Sequence, residues 1–132
     1  MEVDHIGIAV HDLAAALPRW ERTLGSAASP PEEVPTQKVR VAFLEAGATH
    51  IEFLEPTDPS SAVGRFLESR GEGMHHIAYL VPSVDKMLAQ LVAEGARVID
   101  PVSRPGARGR RVGFAHPSAF GGVLVEFVEK GR

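Results

Sequence analysis

The chain has 132 residues, of which 44% are hydrophobic and 23% charged, with a formal net charge of −3 and no cysteine. This length and composition are typical of one soluble globular domain. The negative charge argues against bulk nucleic-acid binding, and the lack of cysteine excludes disulfides and cysteine-ligated metals. The start resembles no signal peptide, and no run of residues is apolar and long enough to span a membrane. We therefore expect a cytoplasmic protein of bacterial type with no nucleic-acid or membrane partner.

The first half of the chain predicts a strand, a helix and further strands. Residues 4–10, DHIGIAV, form a short apolar and β-branched run that is typical of a buried strand. Asp12 is a suitable N-cap for the amphipathic stretch that follows, and Gly25 is a suitable C-terminal stop. Residues 38–56 contain two alternating runs around Gly47, which predict a β-hairpin.

The second half repeats this order after a connecting helix predicted at about residues 60–71. Residues 74–81, MHHIAYLV, match the first strand. Ser83 is the expected N-cap of the next helix and Gly95 its expected end. Residues 110–129 predict a closing hairpin around a pair of glycines.

The repeat aligns His5 with His76 and Glu52 with Glu126. It predicts an α+β fold of two βαβββ modules with mixed sheets, at about residues 1–58 and 73–132. Because neither module alone has much core, we expect residues 1–132 to form a single domain.

Strand parity distinguishes the two neighbouring histidines. Side chains alternate between the faces of a strand, so His5, Gly7 and Ala9 share one face. His76 occupies the position equivalent to His5, whereas His75 points to the opposite face. The small residues beside His5 leave room for a bulky ligand.

A single histidine or glutamate on a strand is more often structural than a metal ligand. Here one histidine and one glutamate occur in each half, and a buried carboxylate is costly without a partner. Two histidines and two glutamates suit a divalent ion of borderline or hard character. A structural role and a metal site both stay open from the residues alone, and the duplication favours the metal.

The matching stretches also carry a resemblance to a known family. The runs DHIGIAV, VRVAFL, IEFLEP, GEGMHHIAYLV and GFAHP…GGVLVEF resemble the vicinal oxygen chelate superfamily over nearly the whole chain. Within that superfamily they are most similar to the methylmalonyl-CoA epimerases. The segments HHIA and HP…GGVLVE are the most specific, since DHIGIAV is shared across the superfamily.

The resemblance implies a metal-dependent isomerase that interconverts (R)- and (S)-methylmalonyl-CoA by removing and returning a proton. It implies that His5, His76 and Glu126 ligate a divalent ion (Co, Zn, Mn or Ni), with Glu52 as the fourth ligand. It further implies that Glu126 is a catalytic base, that the partner is a small acyl-CoA substrate, and that the protein is a homodimer.

One position departs from the family pattern. Many bacterial epimerases have a second glutamate where this chain has Val41. We therefore hypothesise that Glu52 acts as the second catalytic base. The alternative is that Glu52 is a ligand only, because a carboxylate bound to a metal is a weakened base.

Four arginines in a glycine-rich segment before the last strands are candidates for substrate binding. Arginine recognises phosphate and carboxylate, and glycine allows a close approach of backbone to ligand. A solvated surface loop is the alternative interpretation. The four residues are Arg104, Arg108, Arg110 and Arg111.

Two other functions stay open. A glyoxalase I-like isomerase of glutathione thioesters uses the same order of histidine and glutamate ligands. A metal-free binding protein of the same fold would not need to keep four ligand residues, which argues against it. The chain is short for a dioxygenase of this superfamily.

Overall fold

The structure is a computed structural model in which residues 1–131 are described. It contains eight β-strands, three α-helices and two short 3-10 helices within those residues. The strands are β1 Glu2–Ala9, β2 Glu32–Val34, β3 Val39–Ala46, β4 Thr49–Pro56, β5 Gly73–Leu80, β6 Arg104–Pro105, β7 Arg111–Ala115 and β8 Val125–Val128. The helices are α1 Leu13–Leu24, α2 Ala62–Arg70 and α3 Val84–Ala93, and the 3-10 helices are Ala107–Gly109 and Pro117–Phe120. Within residues 1–131 no helix has the length and apolar character needed to cross a membrane.

The chain divides into two compact units. The N-terminal unit comprises His5–His75, and the C-terminal unit comprises Met1–Asp4 together with the chain from His76 onward. The unit boundaries therefore fall inside β1 and β5, and the connecting helix α2 belongs to the N-terminal unit. The single domain predicted from the sequence stays a prediction.

The N-terminal unit is built on strands in the order β2-β3-β4-β1. β1 runs parallel to β4, whereas β3 is antiparallel to β2 and β4. One sheet face packs on α1 through a cluster that includes Leu13, Ala42, Leu44 and Phe53. The packing against α1 keeps water from this side of the sheet. The candidate ligands of β1 and β4 lie on the other side.

The C-terminal unit repeats the arrangement with strands in the order β5-β8-β7-β6. β5 is parallel to β8, and β7 is antiparallel to its two neighbours. Its cluster against α3 includes Val84, Leu88, Val125 and Phe127. The duplication predicted from the sequence therefore appears in strand order, strand direction and helix placement.

Both predicted helix N-caps are confirmed. The Asp12 side chain accepts a hydrogen bond from the Ala14 N–H, and the Ser83 side chain accepts one from the Lys86 N–H. Gly25 ends α1 in the left-handed conformation, with φ of 69°. The end of α3 differs slightly from the prediction, because its C-cap is Glu94 and Gly95 follows it.

The sequence did not locate the two outermost strands. β2 and β6 have three and two residues, which is too short for an alternating pattern to be recognised. The prediction of one glycine-rich loop around the four candidate arginines is therefore wrong in part. Arg104 lies on β6 and Arg111 begins β7, with a short 3-10 helix between them.

In each unit a second glutamate braces the preceding helix: Glu55 lies on β4, and Glu129 directly follows β8. Glu55 Oε2 accepts a hydrogen bond from the Leu13 N–H at 2.8 Å, and Glu129 Oε2 accepts one from the Val84 N–H at 2.8 Å. Both donors belong to the first residue of a helix, where no backbone acceptor is available. The negative charge also interacts favourably with the helix N-terminus. Each brace fixes the strand that carries a candidate ligand against the start of a helix.

We expect Glu129→Ala to lower the free energy of unfolding by about 1–3 kcal/mol, because it leaves a buried backbone donor without its charged acceptor. Glu129→Gln should lose less, since an amide oxygen can still accept the bond. Glu68→Ala, at an exposed position of α2, is the matched control. Denaturant unfolding monitored by circular dichroism measures all three, and equal stability of Glu129→Ala and Glu68→Ala would contradict the brace.

Candidate functional site

The first candidate pair lies on the parallel strands β1 and β4 of the N-terminal unit. His5 Nε2 is 3.3 Å from Glu52 Oε1, and both residues are buried. In the strand register Glu52 stands opposite Gly7, two residues beyond His5. The carboxylate therefore reaches the imidazole from the adjacent parallel strand.

The second pair has the same construction on β5 and β8 of the C-terminal unit. His76 Nε2 is 3.1 Å from Glu126 Oε1, and both residues are 5% exposed or less. Glu126 stands opposite Ala78, which is again two residues beyond the histidine. The equivalence deduced from the repeat is thus matched in register, distance and burial.

A phenylalanine packs edge-on against each histidine. Phe43 lies opposite Glu52 in the β3–β4 register, and its ring makes a T-shaped contact with His5 at 6.2 Å between centroids. Phe114 lies opposite Glu126 and makes the same contact with the His76 ring at 5.5 Å. Such contacts contribute about 0.5–1.5 kcal/mol beyond apolar burial. They hold each imidazole ring in the orientation that directs Nε2 to the carboxylate.

The sequence alone did not single out Phe43 or Phe114 for this contact. The pattern that could have revealed it is again the duplication, because Phe43 and Phe114 occupy equivalent positions before the second ligand of each half. The bracing glutamates Glu55 and Glu129 were also missed, and the duplication could have revealed them as well. Each follows a candidate ligand by three residues in the repeated segments IEFLE and VEFVE.

In each unit, we call the sheet face that carries the histidine–glutamate pair the ligand face of that unit. His75 lies on the opposite face, as strand parity predicted. Its ring contacts Phe66 of α2 in a T-shaped arrangement at 4.9 Å between centroids. His75 therefore packs against a helix, away from the candidate ligands.

The chemistry of the donors fits a divalent cation. Imidazole nitrogen and carboxylate oxygen are ligands of zinc and of the neighbouring first-row metals. His5, Glu52, His76 and Glu126 are all buried and are grouped as candidate metal ligands. Buried carboxylates need a positive or hydrogen-bonding partner, which an imidazole supplies in part and a cation supplies in full.

The four candidate arginines occupy different environments. Arg110 forms a bidentate ion pair with Asp4, at 2.7 and 3.1 Å, and its Nε donates to the Glu129 carbonyl at 2.8 Å. Arg111 donates to the side chain and the carbonyl of Ser103. These two guanidinium groups brace the C-terminal unit, and their part in substrate binding stays a prediction.

Arg104 differs because it lies on the ligand face. It pairs with Val112 in the β6–β7 register, so it shares a face with Phe114. Its guanidinium carbon is 5.6 Å from the centroid of the Phe114 ring, and its Nε is 3.2 Å from Asp100 Oδ1. The other carboxylate oxygen of Asp100 accepts the Phe114 N–H at 2.9 Å, so the cation is held in a fixed place.

Arg108 lies elsewhere, on the 3-10 helix after β6. Its backbone is left-handed, with φ of 59°, a conformation that costs a non-glycine residue of the order of 1 kcal/mol or more. It lines a pocket of about 670 Å³ together with Arg110, Lys130 and Asp4.

This duplicated fold with a paired histidine and glutamate in each half defines a class of protein. Residues 4–114 match the profile of the Glyoxalase/Bleomycin resistance protein/Dioxygenase superfamily, and the chain belongs to that superfamily. The fold predicted from the sequence is confirmed.

Within the superfamily, the chain is similar to epimerases of acyl-CoA thioesters. It is 38% identical over 126 residues to the ethylmalonyl-CoA/methylmalonyl-CoA epimerase of Cereibacter sphaeroides, which covers 94% of each protein. A variant of the Streptomyces coelicolor methylmalonyl-CoA epimerase in complex with 2-nitronate-propionyl-CoA superimposes with a TM-score of 0.93 at 40% identity, covering 98% of this chain and 94% of that chain. A methylmalonyl-CoA epimerase in complex with methylmalonyl-CoA and NH4+ gives a TM-score of 0.91 at 40% identity, covering 97% and 93%.

We expect His76→Ala to abolish metal binding and His75→Ala to retain it, because only His76 lies on the ligand face. Metal analysis of protein purified without chelator, after the same reconstitution of both variants, checks this. Thermal unfolding of the His75 variant should show a modest loss of stability from the missing contact with Phe66. Metal lost from the His75 variant and kept by the His76 variant would contradict the assignment.

Proposed function

We propose that this chain is a metal-dependent epimerase that interconverts (R)- and (S)-methylmalonyl-CoA. The observation that carries the proposal is the pair of buried imidazole–carboxylate contacts, made in the same register in the two halves. Its chemical class is supported by relatives that are named methylmalonyl-CoA epimerase. The imidazole and carboxylate donors suit a divalent metal ion, and the chain shares its fold with these epimerases.

The proposed metal ligands are the two pairs acting together. Two protein ligands alone leave a divalent ion largely unsatisfied, since zinc takes at least four. His5, Glu52, His76 and Glu126 would supply two nitrogen and two oxygen donors. That donor set suits Co, Zn, Mn or Ni, and ions that expand beyond four ligands would accept substrate oxygens as well. When bound, the ion supplies Lewis-acid stabilisation of the negative charge that develops on the substrate oxygens.

The reaction requires one carbon–hydrogen bond to break and another to form on the opposite face of the same carbon. This carbon lies between a thioester and a carboxylate, so its proton is acidic enough for a carboxylate base. Glu126 is the proposed base, with its Oε1 3.1 Å from His76 Nε2. A base must approach the carbon within hydrogen-bond reach.

The ligand face also provides an apolar environment for this step. Val112, Val128 and Ala78 form a small buried cluster on the strands next to Glu126. Water is scarce beside such side chains, which strengthens electrostatic interactions with the developing charge. Phe114 keeps His76 fixed, so the acid–base group and its neighbour need little rearrangement during the reaction.

Arg104 is the arginine that we propose for recognising an anionic group of the acyl-CoA. It is on the ligand face, it is held by Asp100, and its side chain is about one-third exposed. Arginine donates to carboxylate and phosphate oxygens in a planar fork. The homodimer and the cytoplasmic location predicted from the sequence stay predictions.

An epimerase assay with and without metal tests the proposed function. Chelated protein should epimerise methylmalonyl-CoA at least a hundredfold more slowly than protein reloaded with Co, Zn, Mn or Ni, because the developing charge loses its Lewis acid. Racemisation is followed by chiral chromatography or by a coupled mutase.

The same preparations should be offered the hemithioacetal of methylglyoxal and glutathione, which a glyoxalase I-like enzyme would convert. Turnover of that compound alone would replace the epimerase with the glyoxalase alternative. Tight binding of a thioester without turnover or metal would instead favour a binding protein.

We expect Arg104→Gln to raise KM for methylmalonyl-CoA about tenfold with a smaller effect on kcat, because it removes a charge-assisted hydrogen bond worth about 1.5–3 kcal/mol. Arg104→Lys should recover part of the loss. Arg97→Gln, at an exposed position of the same unit, is the matched control. An unchanged KM in folded Arg104→Gln would show that the guanidinium serves only Phe114 and Asp100.

A further inference from the structure

A charged pocket lies within the C-terminal unit. Its volume is about 670 Å³, inside the range of about 300–1,000 Å³ that is usual for small-molecule sites. Arg108, Arg110 and Lys130 line it together with the carboxylates of Glu2 and Asp4. The lining therefore carries more positive than negative side chains, although the whole chain has a formal net charge of −3. This local excess of positive charge suits an anionic ligand.

One of the two carboxylates is paired with a cation of the same lining. Asp4 and Arg110 form the bidentate ion pair described above, at 2.7 and 3.1 Å. Their charges offset each other, so this pair forms a fixed part of the pocket wall. The side chains of Arg108 and Lys130 are exposed, as is that of Glu2. A ligand that enters the pocket from solvent therefore meets two cations and one carboxylate.

The turn that carries Arg108 is held on both sides. Its φ and ψ are 59° and 29°, in the left-handed region that is unfavourable for a residue with a Cβ. The Gly106 N–H closes the turn by donating to the Arg110 carbonyl at 2.8 Å. Gly131 packs against the turn, because a Cβ there would lie 3.2 Å from Arg110 Cγ. Residues held in such conformations are concentrated at functional sites, and here the held turn fixes the backbone from which the guanidinium extends.

The pocket reaches the end of a strand that carries a candidate metal ligand. Leu80, the last residue of β5, also lines the pocket. It shares the ligand face of this unit with His76, because the two positions differ by an even number of residues on one strand. Four residues of extended strand span about 13 Å. A long thioester could therefore place its acyl group beside His76 and its far end in the pocket.

Resting on the proposed function, we propose that this pocket is a subsite for the phosphate groups at the nucleotide end of an acyl-CoA thioester. Arg108 donates to phosphate oxygens through its planar guanidinium, and Lys130 supplies a compact positive charge. A phosphate monoester carries about −1.5 to −2 charges at neutral pH. Its attraction to the two cations therefore exceeds its repulsion by Glu2. A free phosphate ion presents the same oxygen atoms, and the experiments below separate the two sources.

Titration calorimetry of CoA and of pantetheine tests the subsite without any turnover. Pantetheine has the thiol arm of CoA but no phosphate, so we expect the wild-type protein to bind CoA at least tenfold more tightly. Raising the salt concentration from about 0.1 to about 1 M shortens the Debye length from about 10 to about 3 Å. The CoA affinity should fall over this range, and the pantetheine affinity should stay nearly constant.

Single substitutions locate the binding of the phosphates. Arg108→Gln and Lys130→Gln should each weaken CoA binding about three- to tenfold, because each removes a charge-assisted contact at an exposed position. Both should leave pantetheine binding unchanged. Glu2→Gln should strengthen CoA binding about twofold by removing the repulsion. Lys86→Gln, at an exposed position of α3, is the matched control and should bind CoA as the wild type does.

Arg108→Gly separates the side chain from its strained backbone. Glycine adopts the left-handed conformation readily, so this variant should unfold at the same or a higher temperature than the wild type. It should nevertheless lose CoA affinity to the same extent as Arg108→Gln. Full CoA affinity in Arg108→Gly would show that the guanidinium contacts no phosphate.

The outcomes distinguish this subsite from the function on which it rests. Equal affinities for CoA and pantetheine, or losses in Arg108→Gln and Lys130→Gln no larger than in Lys86→Gln, would overturn the subsite. Loss of inorganic phosphate binding in Arg108→Gln, with unchanged CoA affinity, would assign the pocket to a free phosphate instead. CoA affinity that depends on Arg108 and Lys130, in a protein that does not epimerise methylmalonyl-CoA, would support the subsite and overturn the proposed function alone.

Discussion

The pairing of a histidine and a glutamate on adjacent parallel strands constrains the rest of each half of the molecule. Parallel neighbours cannot be joined by a tight turn, so the chain must cross over between them. Between His5 and Glu52 it does so through α1 and the antiparallel strands β2 and β3. The same crossover separates His76 from Glu126. The order of elements in each half is therefore the order needed to bring one imidazole and one carboxylate together on a buried face.

The apolar clusters against α1 and α3 stabilise this arrangement from the other side of the strands. Successive residues of β1 point to opposite faces, so His5 lies on the ligand face and Ile8 lies on the helix face of the same strand. A shift of one residue in register would bury the wrong set of side chains. The braces from Glu55 and Glu129 oppose such a shift, since each ties the ligand strand to a helix N-terminus at 2.8 Å.

The sequence predicted the features that recur and missed those that are short or distant. The duplication revealed the candidate ligands, and residues 13–24 carried enough helical periodicity for α1 to be bounded correctly. β2 and β6 have too few residues for a pattern, so the face occupied by Arg104 became clear only from the strand register. The contact between Arg110 and Asp4 joins positions 106 residues apart, and no local pattern predicts such a pair. The segment that contains the four candidate arginines was therefore predicted as one loop. In the structure Arg104 lies on β6 and Arg111 lies on β7.

The ion pair between Arg110 and Asp4 has a consequence for how the chain can be divided. The guanidinium grips the carboxylate with two nitrogens and the Glu129 carbonyl with the third, so the opening residues are fastened to the closing strands. Dividing the chain at α2 would give two fragments that each match one sequence repeat. The first fragment would then contain residues 1–4, which belong to the C-terminal unit. Recombination between relatives should therefore exchange residues 1–4 together with the chain from His76 onward. Crossover points chosen from the sequence repeat alone would separate Asp4 from Arg110 and so lose this ion pair.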